Sequence, residues 1–501
     1  MNRDNMTDDE ILGADLSVSR LRQHQRRISS YVAGSSRDTI PILDTCRLEN
    51  GGILSEEFLS RYTPPTGYIS FVPSAGAASR YFQKLEKLID AIDRKHHSDI
   101  ASELNEISLD QIKEWSLPGE TYQIFKRGVQ ACIDNGATIQ SAFRRPKAFQ
   151  PAKADGSNYL ERKLIENSLL SAVEQQVYIS AIGKSAEFQS FCSKKSETAP
   201  LILEQDATLS TIRFHRSGSV YREADGSLSL VPAGHGTLID LFKEVKKQFP
   251  HQHSMFIRNI DNVIEMNEDS TKAINRFLGQ HQTVLSAVKE IRTQLQVNRF
   301  SEANHVAKSL LSNFTSATNH IDQDNSFPEP DMNYLWQMQK LLFNGNLDTF
   351  SQFTKCTDPK EIIKLLFSRP VNSLGQVPNS GKDVGGAPVI VKTQFGPTTI
   401  CLELPHASED DKREFFQDPR KATHFNPVFV AAELVDDISF YEDDSLPFWI
   451  LAKKIYKNES VIYHESVLYE LLGNNLMANV MFPMIPRTLF NPHKTFMDAQ
   501  D

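Results

Sequence analysis

The sequence predicts an α/β layered fold with helical insertions and a C-terminal α+β lobe. Three observations carry this. Short runs of β-formers alternate with helical patterns from residue 67 to residue 260, as in layered α/β domains. From Ser270 to Phe343 the apolar spacing is helical throughout. Beyond Pro388 the pattern returns to a hairpin and a further strand.

Composition bounds the rest. A chain of 501 residues is too long for one small core. With 40% apolar and 23% charged residues it reads as a soluble globular protein. A net charge of −9 argues against broad nucleic-acid binding. No run approaches the roughly 20 apolar residues that span a bilayer. Met1 to Asp15 is polar and acidic, unlike a signal peptide. These readings predict a cytoplasmic protein with neither nucleic acid nor membrane as partner. The five cysteines are scattered and form no CxxC pair, so neither a disulfide framework nor a zinc site is expected from them.

Taken in order, residues 1–66 read as a helical and irregular extension, with a helix over Leu16 to Val32. Ile40 to Leu48 and Gly51 to Tyr62 read as irregular packing segments. Residues 67–269 form the predicted α/β core. It opens on Gly67 to Phe82, a short β-rich run, a loop of very small side chains, then apolar residues at helical spacing. Helical patterns at 79–94, 99–116 and 119–134 make 95–140 an insertion. Arg144 to Pro151 holds a lysine between two prolines, which excludes a regular helix. A helix is expected over Asn158 to Val173, a strand over Val177 to Ile182 and a helix over Ser185 to Ser193. Strands follow at Leu201 to Glu204 and Thr211 to Phe214. A hairpin turns at Asp225-Gly226. Gly234-His235-Gly236 opens a helix over Thr237 to Phe249, and Ser254 to Ile260 is a strand ending in Asp261-Asn262.

Residues 270–367 form a predicted helical subdomain, and 368–501 the C-terminal lobe. Residues 368–385 read as loop. Pro388 to Lys392 and Thr398 to Leu404 read as a hairpin, Val428 to Leu434 as a strand, and Asp436 to Asp444 as an acidic loop.

The chemistry-bearing stretch is the one that opens the core. Strand, small-residue loop and helix is the geometry that sets backbone N–H groups and a helix N-terminus against a phosphate. Arg80, at the mouth of that helix, adds a guanidinium. The same local pattern also suits a strand-to-helix turn with no ligand.

Several segments, in order, resemble a bacterial family known as domain of unknown function 4301. They are Pro73 to Arg80, Arg145-Pro146-Lys147, Asp225 to Leu228, Pro232 to Ile239, Ile257 to Val263, Ala422 to Val428 and Phe490-Asn491-Pro492. The sequence more distantly resembles sugar-nucleotide pyrophosphorylases of the GT-A-like nucleotidyltransferase fold. In those a glycine-rich loop ending in Thr-Arg, a Pro-Lys segment, a glycine-containing segment near the base and a strand ending in Asp-Asn follow one another. Gly76 with Ser79-Arg80, Pro146-Lys147, Gly234-His235-Gly236 and Asp261-Asn262 are similar to these four, in the same order.

That resemblance implies a GT-A-like core, a mixed, mainly parallel sheet with flanking helices. It also implies transfer of a nucleotidyl group from a nucleoside triphosphate to a sugar phosphate or similar phosphorylated acceptor, releasing pyrophosphate. Ala75, Gly76, Ala77, Ala78 and Ser79 would hold phosphates, while Arg80 and Lys147 would neutralise charge. Gly234, His235 and Gly236 would approach the base. Asp261 would ligate Mg²⁺, a hard ion that prefers carboxylate and phosphate oxygens. His424, Asn426, Asn491 and Lys494 are the candidate substrate-lobe residues. The sequence departs from the pattern at Ala75 and Ala78, where glycines are usual, and shows no second metal carboxylate. Two alternatives therefore stand beside the enzyme: a non-catalytic sugar-nucleotide-binding protein on the same fold, and a GT-A-like glycosyltransferase.

Overall fold

The computed structural model describes residues 6–34, 39–76, 146–150, 152–153, 157–196, 198–315, 329–380, 385–418, 420–437 and 450–493. The expected helices at 79–94, 99–116 and 119–134 lie outside these residues. So do Ala77, Ala78, Ser79, Arg80, Lys494 and most of the acidic stretch after Asp436.

The chain is mixed α/β with a mainly parallel central sheet. Its strands and helices run in the order α1 (Asp8–Gly13), α2 (Val18–Val32), β1 (Ile42–Thr45), β2 (Tyr68–Pro73), α3 (Tyr159–Ser168), β3 (Val173–Ser180), α4 (Ser185–Lys195), β4 (Leu201–Glu204), α5 (Asp240–Gln248), β5 (Ser254–Arg258), α6 (Glu268–Gln296), α7 (Phe300–Leu311), α8 (Asn333–Phe343), α9 (Leu347–Thr354), α10 (Pro359–Ser368), β6 (Val371–Leu374), β7 (Gly386–Thr393), β8 (Gly396–Glu403), β9 (Phe429–Glu433), β10 (Ile450–Tyr456), β11 (Glu459–Glu465), α11 (Leu468–Leu472) and β12 (Asn479–Met481), with shorter pieces between them. The central sheet has seven strands in the order β12-β6-β9-β5-β2-β3-β4. β3 and β4 pair in parallel, as do β12 and β6, whereas β9 is antiparallel to β6. None of the described helices is long and apolar enough to cross a membrane.

Two compact units share the chain. The smaller comprises Ile69–Gln205, Ile257–Lys272 and Thr488–Asp501; the larger comprises Met1–Tyr68, Asp206–Phe256 and Ala273–Arg487. In the smaller unit β2 and the second half of β3 are buried apolar runs, the signature of strands covered on both faces. Asn158 caps α3 by accepting from the Glu161 N–H. Phe149 packs edge-on against Phe188 of α4, ring centroids 4.7 Å apart.

The described part of the helical stretch forms α6, α7 and α8, and residues 316–328 of it lie outside the described residues. Their apolar stripes, through Val288, Ile291, Leu335, Met338 and Leu342, bury a common core with α10. The N-terminal helices bury Ile11, Leu21 and Ile28 with Leu451 of β10 and Ile462 of β11.

Four sequence expectations are revised. The helix expected over 158–173 stops at Ser168, and the chain is already extended at Val173. There Val173, Val177 and Ile179 prefer a pleated surface. The strand expected to reach Ile260 ends at Arg258. Residues 42–45, read as irregular, pair antiparallel with β7. The stretch read as loop after 368 contains β6, buried at all four residues. Pro370 precedes its first residue, a position where proline does no harm to the ladder.

Candidate functional site

The sheet order reverses direction beside β2. The strands that follow it, β3 and β4, lie on one side, and β5 lies on the other. Such a switch point, at the carboxyl ends of the strands, is where open α/β sheets bind ligands. The loop after β2 begins Ser74-Ala75-Gly76. The Ser74 N–H donates to the Ile179 carbonyl, 3.0 Å, holding the loop to the end of β3. Gly76 has φ outside the left-handed region, and a Cβ there would meet nothing within 4 Å among the described residues. Neither backbone strain nor packing against any described residue accounts for the glycine.

Lys147 joins the two loops that flank the switch point. It opens a single 3-10 turn, Lys147–Phe149, after Pro146. Its backbone N–H donates to the Gly76 carbonyl, 3.2 Å. Its ammonium donates to Asp261 Oδ2, 2.7 Å, with side chains 12% and 23% exposed. It also lies 5.3 Å from the centroid of the Tyr159 ring, close enough for a cation–π contact. Gly76, Lys147 and Asp261, expected on one site, are thus brought together.

The Asp261 loop is fixed from two sides. From α3, the fully buried Lys163 donates to Glu166 Oε2, 2.6 Å, and to the Asn262 carbonyl. Glu166 Oε1 accepts the Ile264 N–H, 3.0 Å. Arg258, buried at the end of β5, reaches Glu166 Oε2 at 3.1 Å and Asn167 Oδ1. Burial pushes the Lys163 ammonium down to about 8, against the pull of Glu166.

From the C-terminal segment, Asn491 donates its side-chain amide to the Val263 carbonyl, 3.0 Å, and its N–H to Asn262 Oδ1, 2.8 Å. The His493 N–H donates to the Asp261 carbonyl, 2.8 Å. Its Nδ1 faces the Ala152 carbonyl at 2.7 Å and therefore carries the proton. Asn491, expected in a substrate lobe, holds the Asp261 loop.

Sequence reasoning passed over Lys163, Glu166 and Arg258. The available signal was an arginine, Arg258, inside an otherwise apolar strand, a place where a charge needs a partner.

The larger unit holds the other candidates. Gly234 has φ +95°, and a Cβ on it would stand 2.5 Å from the Ser466 carbonyl oxygen. A Cβ on Gly236 would stand 2.6 Å from the Val467 nitrogen. The Gly236 N–H donates to the Ser466 carbonyl, 2.9 Å. The close approach that these glycines permit is to the chain's own backbone. His235 between them is exposed.

His424 is buried beside Thr423 Oγ1, 2.8 Å, and burial lowers its pKa. The Asn426 side chain donates to the Gly375 and Phe429 carbonyls and accepts the Val428 N–H. That ties down Val428, whose φ is +62°, so the described contacts of Asn426 serve the turn.

The fold is that of UDP-glucose pyrophosphorylases. The chain is similar to the enzyme from Leishmania major, at 12% identity and a TM-score of 0.53, over 98% of this chain and 77% of that one. A mutant of the Leishmania major enzyme in complex with UDP-glucose gives 12% identity and a TM-score of 0.52, over 99% of this chain and 79% of that one. The chain belongs to the family described as Domain of unknown function (DUF4301), which matches residues 184–499. No curated protein sequence matches it.

Proposed function

We propose that the protein transfers a nucleotidyl group from a nucleoside triphosphate to a sugar phosphate or a similar phosphorylated acceptor. The observation that carries this reading is Lys147, whose ammonium pairs with Asp261 after β5 and whose N–H donates to the Gly76 carbonyl in the loop after β2, at the switch point of the sheet. The shared fold with UDP-glucose pyrophosphorylases supports the same reaction class.

In this reading the loop at Gly76 receives the phosphates beside its α-carbon, where an added Cβ would meet no described residue. An oxygen of the acceptor phosphate attacks the α-phosphorus, the bond to the β-phosphate oxygen breaks, and pyrophosphate leaves with the electron pair. Such chemistry depends on positioning and charge stabilisation. The Lys147 ammonium supplies a fixed positive charge. Asp261 suits Mg²⁺: Lys147 takes Oδ2, and Oδ1 accepts no hydrogen bond from any described residue. Mg²⁺ commonly binds one or two carboxylates together with substrate phosphates, so a single aspartate meets the need. When bound, the ion would neutralise phosphate charge. Lys163, Glu166 and Asn491 keep Asp261 in place.

A thermal-shift screen of nucleoside triphosphates and sugar nucleotides, with and without Mg²⁺, tests binding. Pyrophosphate release with a panel of sugar phosphates tests turnover. Stabilisation by a triphosphate together with release is the expected result. Binding without release would reduce the protein to a sugar-nucleotide binder, and no stabilisation by any nucleotide would end the reading.

A further inference from the structure

A second group of polar side chains lies in the larger unit and belongs to no part of the nucleotide reading. Glu403 is the last residue of β8. Pro405 shapes the 3-10 turn Leu404–His406 that follows, which places His406 three residues on. Glu470 belongs to α11, the short helix that packs against β8.

Their mutual geometry is tight. His406 Nδ1 lies 2.8 Å from Glu470 Oε1. The Glu403 N–H donates to the same oxygen, 3.0 Å. One candidate ligand atom from each of the three residues lies within 4.8 Å of the other two. Glu465, at the end of β11, adds another negative charge acting on His406.

A plain His–Glu pair accounts for only half of this. Glu470 is fully buried, and its second oxygen, Oε2, has no hydrogen-bond partner among the described residues. A buried carboxylate oxygen left without a partner is costly and calls for a bound water or ion. Three acidic groups around one imidazole favour a cation over a neutral water.

We propose that Glu403, His406 and Glu470 bind a divalent transition-metal ion, with Zn²⁺ the first candidate. One imidazole nitrogen with two carboxylate oxygens suits zinc better than the all-oxygen set that Mg²⁺ or Ca²⁺ prefers. Ligand atoms about 2.1 Å from one ion stand roughly 3–4 Å apart, so atoms already within 4.8 Å of one another need little closure. Three protein ligands leave a fourth position for water or a ligand. The hydrogen bond from the Glu403 N–H holds the Glu470 carboxylate in orientation, as outer partners do at metal sites. None of these residues belongs to the unit that carries Gly76, Lys147 and Asp261, so the site stands whether or not the nucleotide reading does.

The test is a calorimetric titration of the full chain, stripped with chelator, against Zn²⁺ without nucleotide. One equivalent should bind saturably, and the melting temperature should rise with the ion. Glu403→Gln, at a half-buried position, should weaken binding at least tenfold, and His406→Asn should abolish the tight site. X-ray absorption should report oxygen and nitrogen neighbours with a single imidazole. Glu470→Gln, fully buried, serves as a further variant if it folds. Zinc that binds equally well to Glu403→Gln and His406→Asn sits on other histidines and overturns the assignment, as does the absence of any saturable binding.

Discussion

The loops at Ser74-Ala75-Gly76 and Gly234-His235-Gly236 look alike in sequence and differ in what occupies the space beside them. At Gly76 that space is open among the described residues. At Gly234 and Gly236 it is filled by the backbone of Ser466 and Val467. A glycine announces that something approaches closely. Whether the approaching group is a ligand or the chain itself is decided by a partner more than 200 residues away, which no local pattern contains.

The sharpest way to break this comparison is to add the missing methyl group at each place. Gly234→Ala puts a Cβ against a carbonyl oxygen and forces an alanine into left-handed backbone. Overpacking costs about 1–3 kcal/mol and the backbone conformation about 1–2 kcal/mol more, so a loss of roughly 3 kcal/mol is expected in denaturant titrations. Gly236→Ala should lose about 2 kcal/mol through overpacking alone. Gly76→Ala should stay within about 0.5 kcal/mol of the native protein yet weaken triphosphate binding. Equal destabilisation at Gly76 and Gly236 would erase the distinction.

The charges beside Gly76 come next in size. Lys147→Ala and Asp261→Asn should each weaken triphosphate binding between tenfold and a hundredfold, about 1.4–2.7 kcal/mol, as read by isothermal titration with Mg²⁺ present. The pair is partly exposed, so its loss should cost stability no more than about 1 kcal/mol. Asn491→Ala leaves the Val263 carbonyl without its side-chain donor and should cost about 1–2 kcal/mol. Hydrogen exchange should then accelerate around Asp261 to Ile264, and the loop at Gly234 should be unaffected.

How much of this was legible follows from where each signal lives. The long helices were readable because their apolar stripes at Val288, Ile291, Leu335 and Met338 are local and periodic. The grouping of Lys147 with Asp261 followed from ordered resemblance, not from spacing, since 114 residues separate them. β6 was hidden because Pro370 and the glycines after it read as turn, while its strand character comes from neighbours β9 and β12. The Lys163–Glu166–Arg258 network was hidden for a different reason. A Lys–Glu pair three apart on a helix reads as solvated surface, and only the tertiary structure shows it fully buried.

That network offers the last contrast, because it makes the anchoring of the Asp261 loop depend on pH. Burial holds the Lys163 ammonium at about 8, below its ordinary 10.5. Below pH 8 the folded and unfolded chains both carry the proton, and the full cost of burying the charge is present. Between pH 8 and 10.5 the folded chain sheds it while the unfolded chain keeps it, so this residue's contribution to stability rises with pH. The slope approaches about 1.4 kcal/mol per pH unit where one proton separates the two states. Lys163→Met lacks the group. The stability of the native protein minus that of the variant, from denaturant titrations at pH 7.5, 9 and 10.5, should therefore climb. Gly236→Ala, whose packing defect carries no proton, should differ from the native protein by the same amount at all three. A flat difference for Lys163→Met would mean that the ammonium is solvated, and that the Asp261 loop is not anchored on a buried charge.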